Sequence, residues 1–496
     1  MKHISSSFLW LVLLPFRFFA ILHGLGAIAF LYLVGLGKNY VRVILANIVS
    51  DIFQSSSNRL DEARLKHSHI LAATGAGKSC AIEFFVDQHI RKKEGFLLIE
   101  PHGELIGRVL ANKRFSLLHK SQAYKKLEFW DFDQNPPALN IFALPLPKSM
   151  AKRQMFINGL ASDLTAAFAA NMQPEMTESQ YIMLRNLFMA VFYQENSTIL
   201  DVLDLLSDDP KLKLKSLLGN LPTKPLFNYF SEDYLSADAK RTRRTLRGRL
   251  NSFLIPKPLY ESLCAQSCEI DFREILSQGK YVLVKATTTS LGTYEAVTIG
   301  NILHSIFSKY AFERLALNEP AKPFFVYFDE AQYYMSEPVE RALTGARKTG
   351  VSYTLAHHEL GQTGMSPSAQ RTLINNANVK IYGSLKWKDM KDGADILGLD
   401  DRIALGTVKP GQFYIKAGKE RVFLKQFPVR FSIKKGGFGK GFFVNAYAKT
   451  EETKAMLKRI TKSAPPLMYE KTVEPEISKK SKSFNFNPHG NMPFSL

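Results

Sequence analysis

The sequence predicts an α/β fold, with a mostly parallel central sheet flanked by helices and interrupted by a helical insertion. Three observations carry this. Short strand-like runs recur at Ile70–Ala73, Gly95–Pro101, Tyr281–Ala286, Phe324–Phe328, Ser352–Ala356, Val379–Ser384 and Gln412–Lys416, most of them apolar, and Lys126–Phe132 alternates like a further strand. Runs of this kind suit strands covered on both faces. From Met150 to about Leu263 the period becomes helical, with Leu184, Leu187, Phe188, Val191 and Phe192 on one face. The first apolar run leads through a glycine-bearing turn into a helix-like segment, Ala81–Ile90.

Composition bounds the rest. A chain of 496 residues is too long for one simple core, so two or three domains are expected. With 46% hydrophobic and 12% aromatic residues, general disorder is excluded. A formal net charge of +20 points to nucleic acid or an anionic membrane face as partner. Cys80, Cys264 and Cys268 offer no disulfide framework and suit a reducing compartment. Cys264 and Cys268 lack a second ligand pair, so they read as ordinary thiols.

At the N-terminus, Phe18–Gly37 carries no formal charge and has only His23 and Tyr32 as polar handles. Its twenty residues are about the length that crosses a bilayer core as a helix. Phe8–Phe16 is too short for a second span and is set apart by Pro15 and Arg17. Lys38, Arg42, Arg59, Arg64 and Lys66 follow, against Asp51, Asp61 and Glu62. Positive residues after a span favour the cytoplasmic side, so a single anchor with a cytoplasmic body is expected. A cleaved signal peptide and a buried helix are the rival readings.

The turn after the first strand reads Ala72-Ala73-Thr74-Gly75-Ala76-Gly77-Lys78-Ser79-Cys80. Strand before and helix after are the context of a phosphate-binding loop, here with Ala72 in place of the usual first glycine. Gly75 and Gly77 let backbone N–H groups turn inward on an anion, and the helix start adds partial positive charge. Residues Thr74 to Cys80 would hold the phosphates of ATP, with Lys78 at the β- and γ-phosphates and Ser79 on Mg²⁺.

Phe324–Phe328 ends in Asp329 and Glu330, at the strand end where ligands of open α/β sheets bind. Asp329 is expected to hold Mg²⁺, through water, and Glu330 to polarise the attacking water as general base. Lys240–Arg249 carries six basic residues in ten, which reads either as a solvated helix face or as a nucleic-acid or subunit contact. The segment from about Pro465 is rich in Lys, Ser, Pro and Asn and is expected to be disordered. His358-Glu359 is followed at i+4 by Gln362, so a zinc-protease helix does not fit.

The ordered blocks LAATGAGKS, LLIEPHGEL, FWDF, PPALNIF, YVLVK, FVYFDEAQ, GARKTGVSYTLAHHELGQ and NNANVKIYG resemble the type IV secretion coupling proteins. These belong to the FtsK–HerA branch of P-loop translocases, and the resemblance runs from about Ser68 to Lys425. It implies a RecA-like P-loop motor with an inserted all-helical domain and an N-terminal transmembrane helix. The division is then 1–50 anchor, 51–149 first motor segment, 150–270 helical insertion, 271–430 second motor segment and 431–496 basic extension. The resemblance further implies a hexamer in the bacterial inner membrane that pumps DNA, sequence-nonspecifically, into a conjugative channel with relaxase-type cargo proteins. Arg347 matches an arginine finger offered to a neighbouring subunit. His358 stands where the family usually has a glutamine that senses the γ-phosphate. Ala72 and Glu100 depart from the usual Gly and Asp. The alternatives are a secretion ATPase that moves protein without DNA, and a nucleotide-gated receptor with little hydrolysis.

Overall fold

The computed structural model describes residues 60–427 apart from 61, 116–120, 317–320, 362–364 and 420–421. The apolar span Phe18–Gly37, the segments 1–50 and 431–496 and the tail from Pro465 therefore lie outside the described residues. Among the described residues no helix is long and apolar enough to cross a membrane.

The chain opens with β1 (Ser68–Leu71), α1 (Lys78–Lys92), β2 (Gly95–Glu100), α2 (Glu104–Leu110) and β3 (Leu127–Asp131). A helical run follows: α3 (Met150–Ala169), α4 (Glu178–Val191), α5 (Ile199–Leu205), α6 (Lys211–Leu218), α7 (Lys224–Ser231), α8 (Ala237–Phe253) and α9 (Lys257–Leu263). Then come α10 (Phe272–Gln278), β4 (Tyr281–Lys285), α11 (Thr288–Leu291), α12 (Thr293–Ala316), β5 (Phe324–Phe328) and α13 (Glu337–Gly345). The last elements are β6 (Val351–His357), α14 (Pro367–Asn376), β7 (Val379–Tyr382), α15 (Trp387–Leu397), β8 (Gln412–Ala417) and β9 (Phe423–Gln426).

All nine strands form one sheet in the order β3-β4-β2-β5-β6-β1-β7-β8-β9. The pairs from β3 across to β7 are parallel, and β8 and β9 add antiparallel. Parallel strands need a crossover over a sheet face, which is why both faces are covered and β2, β4 and β5 read as unbroken apolar runs. One core joins Leu97, Val282 and Phe328 of the sheet to Leu160, Leu187 and Phe230 of the helical run. The other face packs Ile82, Phe85 and Leu105 against Ile70, Leu98 and Phe325. The helices from Met150 to Leu263 thus rest on the same core as one face of the sheet, with no strand among them.

The helical run starts where local chemistry dictates. Thr177 and Thr198 each make a reciprocal capping box at the start of α4 and α5, and Ser236 caps α8 through the Ala239 N–H. The expected helix Ala81–Ile90 is longer, because it begins inside the phosphate-loop motif at Lys78.

Several imidazoles are sealed in this core. Burial pushes His67 and His357 down to about 4 and His304 down to about 3. Unfolded, each returns to roughly 6.5 and takes up a proton the folded state refuses. Stability should therefore fall as pH drops below about 6.5, by about 1.4 kcal/mol per pH unit for each such histidine. The raised carboxyls, Glu100 and Asp329 among them, act in the opposite sense and offset part of this slope. Urea midpoints compared between pH 7 and 5.5 check this, and His304→Gln should shallow the slope.

Candidate nucleotide site at the strand ends

The site forms where β1, β5 and β6 end side by side. β1 pairs β6 so that Leu71 lies level with His357, and β5 pairs β6 on the other side. The loop after β1 is pinned at both flanks by backbone bonds. Ala73 N–H donates to the Ser384 carbonyl at 2.8 Å, and Gly411 N–H donates to the Ala76 carbonyl at 2.8 Å. Gly75 and Gly77 take φ of 79° and 100°, the left-handed region that favours glycine. A Cβ on Gly77 would stand 3.0 Å from the Gly411 backbone nitrogen, so the loop has no room for a side chain there.

Five predicted residues converge here. Lys78, only 5% exposed, is turned back onto the Ala72 carbonyl at 3.1 Å and onto His358 Nδ1 at 2.6 Å. The Ser79 hydroxyl donates to Asp329 Oδ2 at 3.2 Å. His358 Nε2 lies 2.6 Å from Glu330 Oε1. Glu330 itself sits in the left-handed region at φ 59°, a conformation that costs a non-glycine residue energy and here turns its carboxylate toward the loop.

The hydrogen-bond directions assign His358. Its Nδ1 faces the Lys78 ammonium, a pure donor, and the Thr74 hydroxyl at 3.3 Å. Nδ1 therefore accepts and Nε2–H donates to the Glu330 carboxylate. A glutamine offers the same pairing, carbonyl oxygen toward Lys78 and amide N–H toward Glu330. His358→Gln should accordingly keep turnover within about threefold, whereas His358→Ala should lower it by on the order of tenfold to a hundredfold. Steady-state ATP hydrolysis by the three proteins checks this.

Electrostatics separates the two carboxyls. Burial and the neighbouring Glu330 push Asp329 up, against Lys78 and the Ser79 hydroxyl. Burial also acts on Glu330, but hydrogen bonds from His358 and Gln332 and the charge of Lys78 outweigh it and hold its carboxyl low. Burial lowers Lys78, with Asp329 and Glu330 opposing. A hydroxyl and a buried carboxylate in contact suit an oxygen-preferring cation such as Mg²⁺, and such a cation reverses the shift on Asp329. Ser79 and, through water, Asp329 would hold it, and it would supply positive charge to the bound phosphates.

Two further residues adjoin this cluster, Gln332 and Glu100, the second already marked in the sequence by its departure from the usual Asp. Gln332 Nε2 donates to Glu330 Oε2 at 2.8 Å and fixes the second carboxylate oxygen. Its place in FVYFDEAQ is the one available hint, since only the turn at Glu330 brings it back. Glu100 lies one residue past the Ile99–Phe328 pair, level with Asp329. Burial and the Asp329 charge push it up to about 7, while backbone N–H groups including that of His102, at 3.0 Å, act against this.

Cys80 falls in the first turn of α1, and burial pushes its thiol up. Arg347 is not part of this cluster. It is exposed in the turn before β6, while His358 follows β6, so the strand's seven residues separate them by about 23 Å. The charge of Arg347 acts instead on His67, ahead of β1.

Comparison with known proteins bears on the fold. Residues 55–284 match the family model described as "DUF87: Helicase HerA, central domain". That span ends before β5, so Asp329 and Glu330 stand on the structure itself. The plasmid coupling protein TrwB in complex with the non-hydrolysable GTP analogue GDPNP is similar at a TM-score of 0.51 and 13% identity, over 74% of this chain and 86% of that one. The chain shares the fold of that plasmid coupling protein. TrwB in complex with ADP and Mg²⁺ gives a TM-score of 0.51 at 14% identity, over the same shares of 74% and 86%. VirB4 of Thermoanaerobacter pseudethanolicus gives 0.46 at 15% identity, over 73% of this chain and 89% of that one. No curated protein matches the chain in sequence. The expectation of an α/β fold with a mostly parallel sheet holds, and Lys78 and Glu330 face each other across His358.

Proposed function

We propose that the chain is an ATP-hydrolysing DNA translocase, a membrane-anchored coupling protein that delivers DNA to a conjugative type IV secretion channel. The observation that carries this is the meeting of Lys78, Ser79, Asp329 and Glu330 at the strand ends of a sheet shared with plasmid coupling proteins. ATP and Mg²⁺ are its expected substrate and cation, a reading supported by the TrwB structure with ADP and Mg²⁺. Thr74, Gly75, Ala76, Gly77, Lys78, Ser79 and Cys80 cradle the phosphates. A net charge of +20 suits sequence-nonspecific DNA binding through phosphates. Phe18–Gly37 is the proposed single-pass inner-membrane anchor with the body in the cytoplasm. The motor is interrupted by a helical domain over 150–270, and six copies form the working ring. Relaxase-type proteins are the proposed cargo.

The test is ATP hydrolysis by the chain with and without nonspecific DNA, against Lys78→Ala and Glu330→Gln. Stimulation by DNA that both substitutions abolish supports the translocase. Brisk hydrolysis indifferent to DNA points instead to a protein-secretion ATPase. One observation favours a third reading, a nucleotide-gated receptor with little hydrolysis. His358 ties Lys78 to Glu330, and a triphosphate must break that tie before Lys78 reaches it. Hydrolysis no faster than that of Glu330→Gln, with ATP bound, would favour it.

A further inference from the structure

The loop after β7 is bonded to the phosphate loop through Ser384 and then presents Lys386, Trp387 and Lys388. Trp387 is 67% exposed, more than Phe227 or Tyr260, although an indole is among the costliest side chains to leave in water. The Arg402 guanidinium lies 5.1 Å from its ring centre. The Lys386 and Lys388 ammoniums, 60% and 58% exposed, both reach Glu359 Oε2, at 3.1 and 3.0 Å. One carboxylate oxygen is thus clamped between two cations beside an open aromatic face. Of the acids on this segment, Asp389 is buried and Asp401 accepts from the Ile403 N–H at 2.8 Å, while Asp392 and Asp400 are exposed.

We propose that Trp387, Arg402, Lys386 and Lys388 form a contact for single-stranded DNA, with a base on the indole and phosphates drawing the two ammoniums away from Glu359. This rests on the translocase reading and names where the strand is held. A two-cation clamp already shaped around an anionic oxygen accepts a phosphate oxygen equally well. An exposed indole stacks any unpaired base, and a guanidinium beside it extends the platform. A protein partner fits less well, because lysines are depleted at the centres of protein interfaces and here they flank the ring on both sides.

The contact also reports to the nucleotide. Glu359 follows His358 directly, and its carbonyl is held by His357 Nδ1 at 3.0 Å. Drawing Lys386 and Lys388 onto DNA releases the Glu359 carboxylate one residue from the imidazole that links Lys78 to Glu330. Occupancy by DNA is thereby coupled to the hydrolytic site through a single strand end.

The experiment uses the full chain and a fluorescein-labelled oligo(dT). Trp387→Ala should weaken binding by about tenfold or more, and Lys386→Ala with Lys388→Ala should flatten its salt dependence. Glu359→Gln should tighten binding severalfold. Trp387→Ala should keep basal ATP hydrolysis and lose the stimulation by DNA. The chain has three tryptophans, of which Trp130 is buried, so quenching by oligo(dT) that Trp387→Phe removes locates the base. If the wild type binds oligo(dT) and Trp387→Ala binds it equally well, the contact is elsewhere while the translocase reading stands. Equal loss with a blunt duplex would overturn stacking on an unpaired base. Binding to polyglutamate as tight as to oligo(dT), unaffected by Trp387→Ala, would make this a surface for an acidic polypeptide. A wild type that binds no DNA sinks both readings together.

Discussion

Glu330→Gln is expected to lower ATP turnover by on the order of a hundredfold to a thousandfold while leaving nucleotide binding nearly unchanged. The amide has the size and shape of the carboxylate but cannot take a proton from water. His358, Gln332 and Lys78 hold the Glu330 carboxyl ionised against the cost of burying it. The carboxylate form that general-base chemistry would need is therefore kept, and the substitution removes that one property. Lys78 and Ser79 are untouched, so the phosphate cradle survives. Equilibrium binding of a fluorescent ATP analogue, set beside steady-state hydrolysis, separates the two effects. A variant that retains more than about a tenth of wild-type turnover would mean that another group activates the water. Glu100, whose carboxyl is pushed up to about 7 beside Asp329, would then be the next residue to replace.

Legibility of the fold followed burial. Gly95–Glu100, Tyr281–Lys285 and Phe324–Phe328 are buried from both sides and stand out as apolar runs. β1 is shifted toward its N-terminus from the expected Ile70–Ala73, because its polar residues are buried as well. His69 is satisfied by His357 at 2.7 Å and by Tyr382 at 3.0 Å, both on neighbouring strands. Such pairs exist only once the sheet order is known. The 24-residue α12 went unread for a related reason. It is buried along most of its circumference, so it carries no polar stripe to set a 3.6-residue period. β9 is a short, half-exposed edge strand with a weak pattern.

The site divided in the same way. Lys78, Ser79, Asp329 and Glu330 lie in motifs whose spacing is set by a strand, a turn and a phosphate, so they are legible one segment at a time. The tie of Lys78 to Glu330 through His358 is not, since it joins three segments that meet only at the ends of β1, β5 and β6. Gln332 depends on a left-handed turn at a glutamate, which no propensity announces. Glu100 depends on β2 pairing with β5 in a register that sets it beside Asp329.

Arg347→Ala is expected to cut turnover by on the order of a thousandfold or more without weakening ATP binding to the same subunit. Seven strand residues separate it from His358, so it cannot reach the nucleotide of its own chain. It is exposed, and a guanidinium with five donors stabilises charge on a transferring phosphoryl group wherever it can be offered. In the proposed ring, a neighbouring copy is where that offer would be made. Mixing is the decisive measurement. Lys78→Ala subunits cannot use their own nucleotide but still carry Arg347, and Arg347→Ala subunits hold ATP but lack the finger. Each is inactive alone, and together they should recover a fraction of wild-type hydrolysis, because a Lys78→Ala subunit completes the site of its Arg347→Ala neighbour. Recovery requires contact between copies, so it should rise steeply with protein concentration and vanish on dilution. If Arg347→Ala alone hydrolyses ATP like the wild type, the residue is a surface arginine beside His67, and the ring has no finger at this position.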